Sequence, residues 1–136
     1  MLRGKGEMIL VVEDEDGVLE LAVRLVSNLG YDVMAASDAK SALKIIDGGE
    51  HIDLLFTDIV LPGGVSGRDL AVEARQKRPG LAVVYASGYS TAIEADDPIE
   101  ANAIRLTKPY RGKTLAEAFH LALGDQESEG GDGNAG

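Results

Sequence analysis

Five polar residues in this 136-residue chain each close or directly follow a short apolar run. Glu13 and Asp14 follow Ile9-Leu10-Val11-Val12, and Asp58 ends Leu54-Leu55-Phe56-Thr57. Ser87 follows the run from Leu81 to Ala86, and Lys108 follows the run from Ile104 to Thr107. Side by side, they would gather three carboxylates, a hydroxyl and an ammonium. Clustered carboxylates raise one another's pKa unless a cation sits among them. Glu13, Asp14 and Asp58 against Lys108 leave two negative charges, which suits a divalent ion. Hard oxygen donors without His or Cys favour Mg²⁺, which keeps several waters and binds beside phosphates. The chemistry indicated is phosphoryl transfer, which rests on charge stabilisation and positioning.

Such a gathering requires a parallel sheet, because in open α/β sheets ligands bind outside the carboxyl ends of the strands. Apolar runs at Met8 to Val12, Val33 to Ala36, Leu54 to Thr57, Leu81 to Ala86 and Ile104 to Thr107 predict five strands. They alternate with segments of helical period, the pattern of an α/β domain with helices on both faces. A first helix is expected from about Asp16 to Leu29, with Gly30 as its left-handed stop. A second begins at Ser37 or Asp38 and ends at Gly48 and Gly49. A third spans Ser66 to Arg78, closed by Pro79 and Gly80, and the last spans Lys113 to Leu123. Between Thr91 and Asn102, Asp96, Asp97 and Pro98 interrupt any helical pattern, so a short or irregular helix is expected there. Residues 1–7 read as an N-terminal extension and 8–123 as one domain. Residues 124–136 read as a disordered acidic tail, Gly-rich and nearly without apolar residues.

The net charge of -10 disfavours nucleic acid and anionic membranes as direct partners. There is no cysteine, hence no disulfide framework and no thiolate nucleophile. With no run near the ~20 apolar residues of a membrane span and no signal-like segment, a cytoplasmic protein is expected.

The acidic pair Glu13-Asp14, the strand ending in Asp58, the loop Leu61-Pro62-Gly63-Gly64, Gly67, the turn Ala86-Ser87-Gly88 and Lys108-Pro109-Tyr110 together resemble the receiver domain of response regulators. The likeness covers about residues 8 to 123. It implies a doubly wound, flavodoxin-like parallel sheet of order 2-1-3-4-5. It also implies a Mg²⁺-dependent switch in which Asp58 takes a phosphoryl group from a histidine kinase or histidine phosphotransfer protein. By the same resemblance Asp14, Asp58 and the Val60 carbonyl hold Mg²⁺ directly and Glu13 acts chiefly through water. Lys108 pairs with Asp58 and then with the phosphoryl oxygens, Ser87 hydrogen-bonds the phosphoryl group, and Pro109 forms a cis peptide. Either a stand-alone regulator or the receiver of a hybrid histidine kinase fits.

Glu13 stands where many receivers carry Asp, and Ser87 where many carry Thr; both keep the functional group. Arg105 occupies the place of the usual inward-turning aromatic, which implies a different exit for the signal through Arg105 or the segment before it. Val60 and Tyr89, two residues after Asp58 and Ser87, are expected to set phosphoryl lifetime by hindering water. Taken singly, each residue also has an ordinary structural role: Asp14 and Asp16 as helix caps, Asp58 and Ser87 in turns, Lys108 as a solvated charge. His51 and His120 read as surface residues. Gly63-Gly64-Val65-Ser66-Gly67 lacks the Gly-Lys-Ser/Thr ending of a P-loop. Two other functions would carry different signatures. An aspartyl-nucleophile phosphatase of the haloacid-dehalogenase kind carries Asp-x-Asp, whereas Ile59 and Val60 follow Asp58 here. A binding-only pseudo-receiver usually lacks the acceptor or the lysine.

Overall fold

The five apolar runs form a single parallel sheet of order β2-β1-β3-β4-β5, made of β1 (Met8–Val12), β2 (Asp32–Ala36), β3 (Leu54–Asp58), β4 (Ala82–Ser87) and β5 (Ile104–Thr107). The structure is a computed structural model that describes residues 3–88 and 104–131, the last seven of these as backbone. Tyr89 and the segment from Thr91 to Asn102 lie outside the described residues. The central strands β1, β3 and β4 are buried almost throughout, as expected where helices cover both faces of a sheet. Edge strands β2 and β5 are more exposed.

Among the described residues, α1 (Asp16–Asn28), α2 (Ala39–Asp47), a 3₁₀ turn at Pro62–Gly64 and α3 (Gly67–Lys77) lie between the first four strands, and α4 (Gly112–Gly131) follows β5. Their limits follow local chemistry. Gly30 turns the chain with φ +98° after α1, a conformation that glycine adopts without Cβ strain. Asp38 caps α2 by accepting from the Ser41 N–H at 2.8 Å. Ser66 and Asp69 form a capping box at the start of α3, which satisfies two of the orphan backbone donors there. α4 is longer than its apolar stripe, since the backbone continues past Leu123 to Gly131. The physical reason is that Gly124 costs only about 1 kcal/mol in a helix interior and no proline follows it to break the ladder.

Alternating side chains divide the core. Ile9, Val11, Leu54, Phe56 and Val84 face α1 and α4, while Leu10, Val12, Leu55, Val83 and Tyr85 face α2 and α3. Burying each such large side chain stabilises the fold by roughly 1.5–3 kcal/mol before entropy is counted. On the first face Tyr31, Phe119, Phe56 and Tyr110 form a run of edge-to-face contacts with centroids 5.2–5.4 Å apart. This run carries the core packing up to the residues beside Asp58 and Lys108. Ahead of β1, the Gly6 N–H donates to the Gly30 carbonyl at 2.9 Å, which ties residues 3–7 to the turn between α1 and β2.

Among the described residues no helix is long and apolar enough to cross a membrane.

Candidate functional site

Strand register brings the five residues to one edge. Val12 pairs with Thr57, Asp58 with Ala86 and Ser87 with Thr107. Glu13 and Asp58 therefore stand one step past a shared level, and Lys108 follows the last pair of β5. The Lys108 N–H donates to the Ser87 carbonyl at 2.8 Å, extending that pairing by one bond.

Side chains close the cluster. Lys108 Nζ donates to Glu13 Oε1 at 2.8 Å and to Asp58 Oδ2 at 2.9 Å. Glu13 and Asp58 are only 3% and 8% exposed, so these charge-assisted bonds form where water screens them weakly. Carboxylate oxygens of Glu13, Asp14 and Asp58 lie within 4.8 Å of one another, with Asp14 exposed. Burial disfavours the Lys108 ammonium, but its hydrogen bonds to Glu13 and Asp58 outweigh that and hold its pKa above the ordinary 10.5. Tyr110 lines the same small depression as Glu13, Thr57 and Asp58. Its phenol is pushed up from 10.0 to about 12 by burial first and by the negative charge of Glu13 and Asp58.

The ordinary structural role of Asp14 is not taken up. The N-cap of α1 is Glu15, without a side-chain cap hydrogen bond, and Glu13 Oε2 instead accepts the Glu15 N–H at 3.1 Å. Asp14 thus remains beside the cluster.

Val60 is 56% exposed in the loop after Asp58. Ser87 is buried at the end of β4. The Lys108–Pro109 peptide is cis. Arg105 lies on β5 at an exposed position, in register with the buried Tyr85. His51 and His120 are exposed, and neither joins the cluster of Glu13, Asp14 and Asp58; His51 Nε2 pairs instead with Asp53 Oδ1 at 2.8 Å. Two further residues stand beside the acceptor. Tyr110 has no signal in the sequence beyond its place after Lys108-Pro109. Thr57, whose Oγ1 donates to the Asp58 carbonyl at 2.9 Å, signals itself as the one polar residue in the apolar run before Asp58.

The response regulator receiver domain family matches residues 9–120, and the chain belongs to that family, placing it in two-component signalling. It is 34% identical over 122 residues to the sensor kinase CckA of Brucella abortus, a match covering 88% of this chain and 13% of the kinase. It is also 34% identical over 120 residues to the transcriptional regulatory protein MalR of Bacillus subtilis, covering 86% of this chain and 48% of MalR. The chain thus spans less than half the length of either relative. Among solved structures, the receiver domain of the hybrid histidine kinase CckA is 38% identical with a TM-score of 0.70, covering 85% of this chain and 98% of that one. A receiver domain protein from Clostridium thermocellum is 28% identical with a TM-score of 0.79, covering 89% and 97%.

Proposed function

We propose that this receiver is a Mg²⁺-dependent phosphoacceptor, with Asp58 the residue that carries the phosphoryl group. The observation that carries the reading is Lys108 Nζ held between Glu13 and Asp58, with Asp14 completing a carboxylate cluster within 4.8 Å. Three carboxylates and the Lys108 ammonium together leave two negative charges, and hard oxygen donors of that charge fit Mg²⁺. Asp14, Asp58 and the Val60 carbonyl would hold the ion, with Glu13 acting through water. The ion would neutralise charge on the phosphoryl oxygens.

An Asp58 carboxylate oxygen attacks the phosphorus of a phosphohistidine. A P–O bond forms, the P–N bond breaks and the imidazole nitrogen departs with a proton from solvent. Lys108 answers the added negative charge, and Ser87 donates a hydrogen bond to a phosphoryl oxygen. Hydrolysis of the acyl phosphate returns Asp58 to a carboxylate and releases inorganic phosphate. Val60 and Tyr89 slow that step by shielding phosphorus from water. The added charge biases a two-state equilibrium, and Arg105 on β5 transmits it in place of an aromatic residue. The protein acts as a switch rather than as an enzyme on an outside substrate.

The donor is a histidine kinase or a histidine phosphotransfer protein, and the 38% identity to the CckA receiver supports a kinase-attached setting. Incubation with labelled histidine kinases and phosphotransfer proteins tests this. Rapid transfer from one donor, lost in Asp58→Asn, is the expected result; no transfer from any donor to folded protein would refute it.

A further inference from the structure

The loop from Ile59 to Ser66 carries the Val60 carbonyl and is closed at its neck by backbone contacts. The Gly67 N–H donates to the Ile59 carbonyl at 2.6 Å, and the Ile59 N–H donates to the Ala86 carbonyl at 2.9 Å. Gly67 lies directly against Asp58: a Cβ there would fall far inside van der Waals contact with the Asp58 carbonyl oxygen and 2.9 Å from its carbonyl carbon. Both obstacles are backbone atoms, so neither can swing aside as a flexible side chain would. The Thr57 hydroxyl holds the same carbonyl oxygen at 2.9 Å, and Thr57 is buried.

Gly67 does not need its freedom of φ here, since it opens a regular helix behind the Ser66 cap. What it supplies is close approach. The first turn of α3 can then rest on the acceptor residue itself, with Asp58 between that turn and the Thr57 hydroxyl.

We infer that Gly67 and Thr57 are positioning residues for the divalent-cation site, fixing the Asp58 backbone so that its carboxylate and the Val60 carbonyl meet one ion. The inference rests on the phosphoacceptor reading above and assigns to two residues outside the charged cluster the task of keeping it in shape. Groups that orient metal ligands typically matter about 10–100-fold in affinity. A side chain at position 67 must push α3 and Asp58 apart, whereas loss of the hydroxyl at position 57 releases one restraint without adding bulk.

The test is the dissociation constant of Mn²⁺, as a paramagnetic stand-in for Mg²⁺, read by electron paramagnetic resonance on the intact chain. Gly67→Ala, Thr57→Val and Thr57→Ser are compared with the unaltered protein. The expected result is affinity weakened about tenfold or more in Gly67→Ala and roughly threefold to tenfold in Thr57→Val, with Thr57→Ser close to the original. Folding is checked by circular dichroism. Should Gly67→Ala fail to fold, the Thr57 pair decides, because valine keeps the shape of threonine and serine keeps its hydroxyl. Unchanged affinity in folded Gly67→Ala, or equal affinity in Thr57→Val and Thr57→Ser, would overturn the inference. Phosphoryl labelling measured in parallel separates the two ideas: a protein that binds Mn²⁺ as expected but takes no phosphoryl group refutes the phosphoacceptor reading alone.

Discussion

Lys108 Nζ lies 2.9 Å from Asp58 Oδ2 although fifty residues separate them, and the same ammonium reaches Glu13 Oε1 at 2.8 Å. One cation therefore serves two buried carboxylates. Replacing it leaves both without that partner, at a cost of about 1–3 kcal/mol for each buried acceptor left unsatisfied. Lys108→Met should lower the urea midpoint in EDTA, and Mg²⁺ should restore more stability to this variant than it adds to the unaltered protein. Equal Mg²⁺ stabilisation of both proteins would contradict this.

Alkaline pH tests the same surroundings. The Lys108 pKa is raised above 10.5 in the fold, so its stabilisation is complete below that pH and is lost as pH rises beyond it. Tyr110 rises from 10.0 to about 12, so the fold favours the neutral phenol and loses stability across that interval. Both effects have the same sign. Stability should fall from about pH 10 upward, and Tyr110→Phe should flatten the decline between pH 10 and 12. A decline just as steep in Tyr110→Phe would remove the phenol from the explanation.

Phe119 is fully buried and makes edge-to-face contacts with both Tyr31 and Phe56. Phe119→Ala should cost about 3–5 kcal/mol, a large part of the stability of a domain this size. Urea unfolding gives the value directly, and a loss below about 1 kcal/mol would mean that the site tolerates the cavity.

Val60 is exposed in the loop just beyond the acceptor, where an apolar side chain offers water no hydrogen bond. Combined Val60→Asn and Tyr89→Glu substitutions should shorten the phosphorylated half-life by about tenfold, equivalent to roughly 1.4 kcal/mol of barrier. The decay is followed after removal of the phosphodonor. An unchanged half-life would sink the shielding role.

Much of this arrangement could be read from the amino acids because the buried strands are near-continuous apolar runs. Their carboxyl ends could then be located within a residue or so. The charged residues at those ends, Glu13, Asp14, Asp58 and Lys108, identified the cluster for the same reason. Pairwise contacts were less accessible. That Lys108 would bond Glu13 as well as Asp58 depends on the level at which β1, β3 and β5 end relative to one another, which parallel register sets in three dimensions. The close approach of Gly67 to Asp58 is likewise a distance between backbones, and a glycine in a loop of glycines does not announce it. The end of α4 is not legible in the amino acids, because apolar periodicity stops at Leu123 whereas the helical backbone continues to Gly131.

The most direct test of the central claim is intact-protein mass spectrometry after incubation with acetyl phosphate. One phosphoryl group should be added in the presence of Mg²⁺, with no addition in EDTA and none in folded Asp58→Asn. Failure of the folded, Mg²⁺-supplied protein to gain the group, or full labelling of Asp58→Asn, would contradict the assignment of Asp58 as phosphoacceptor.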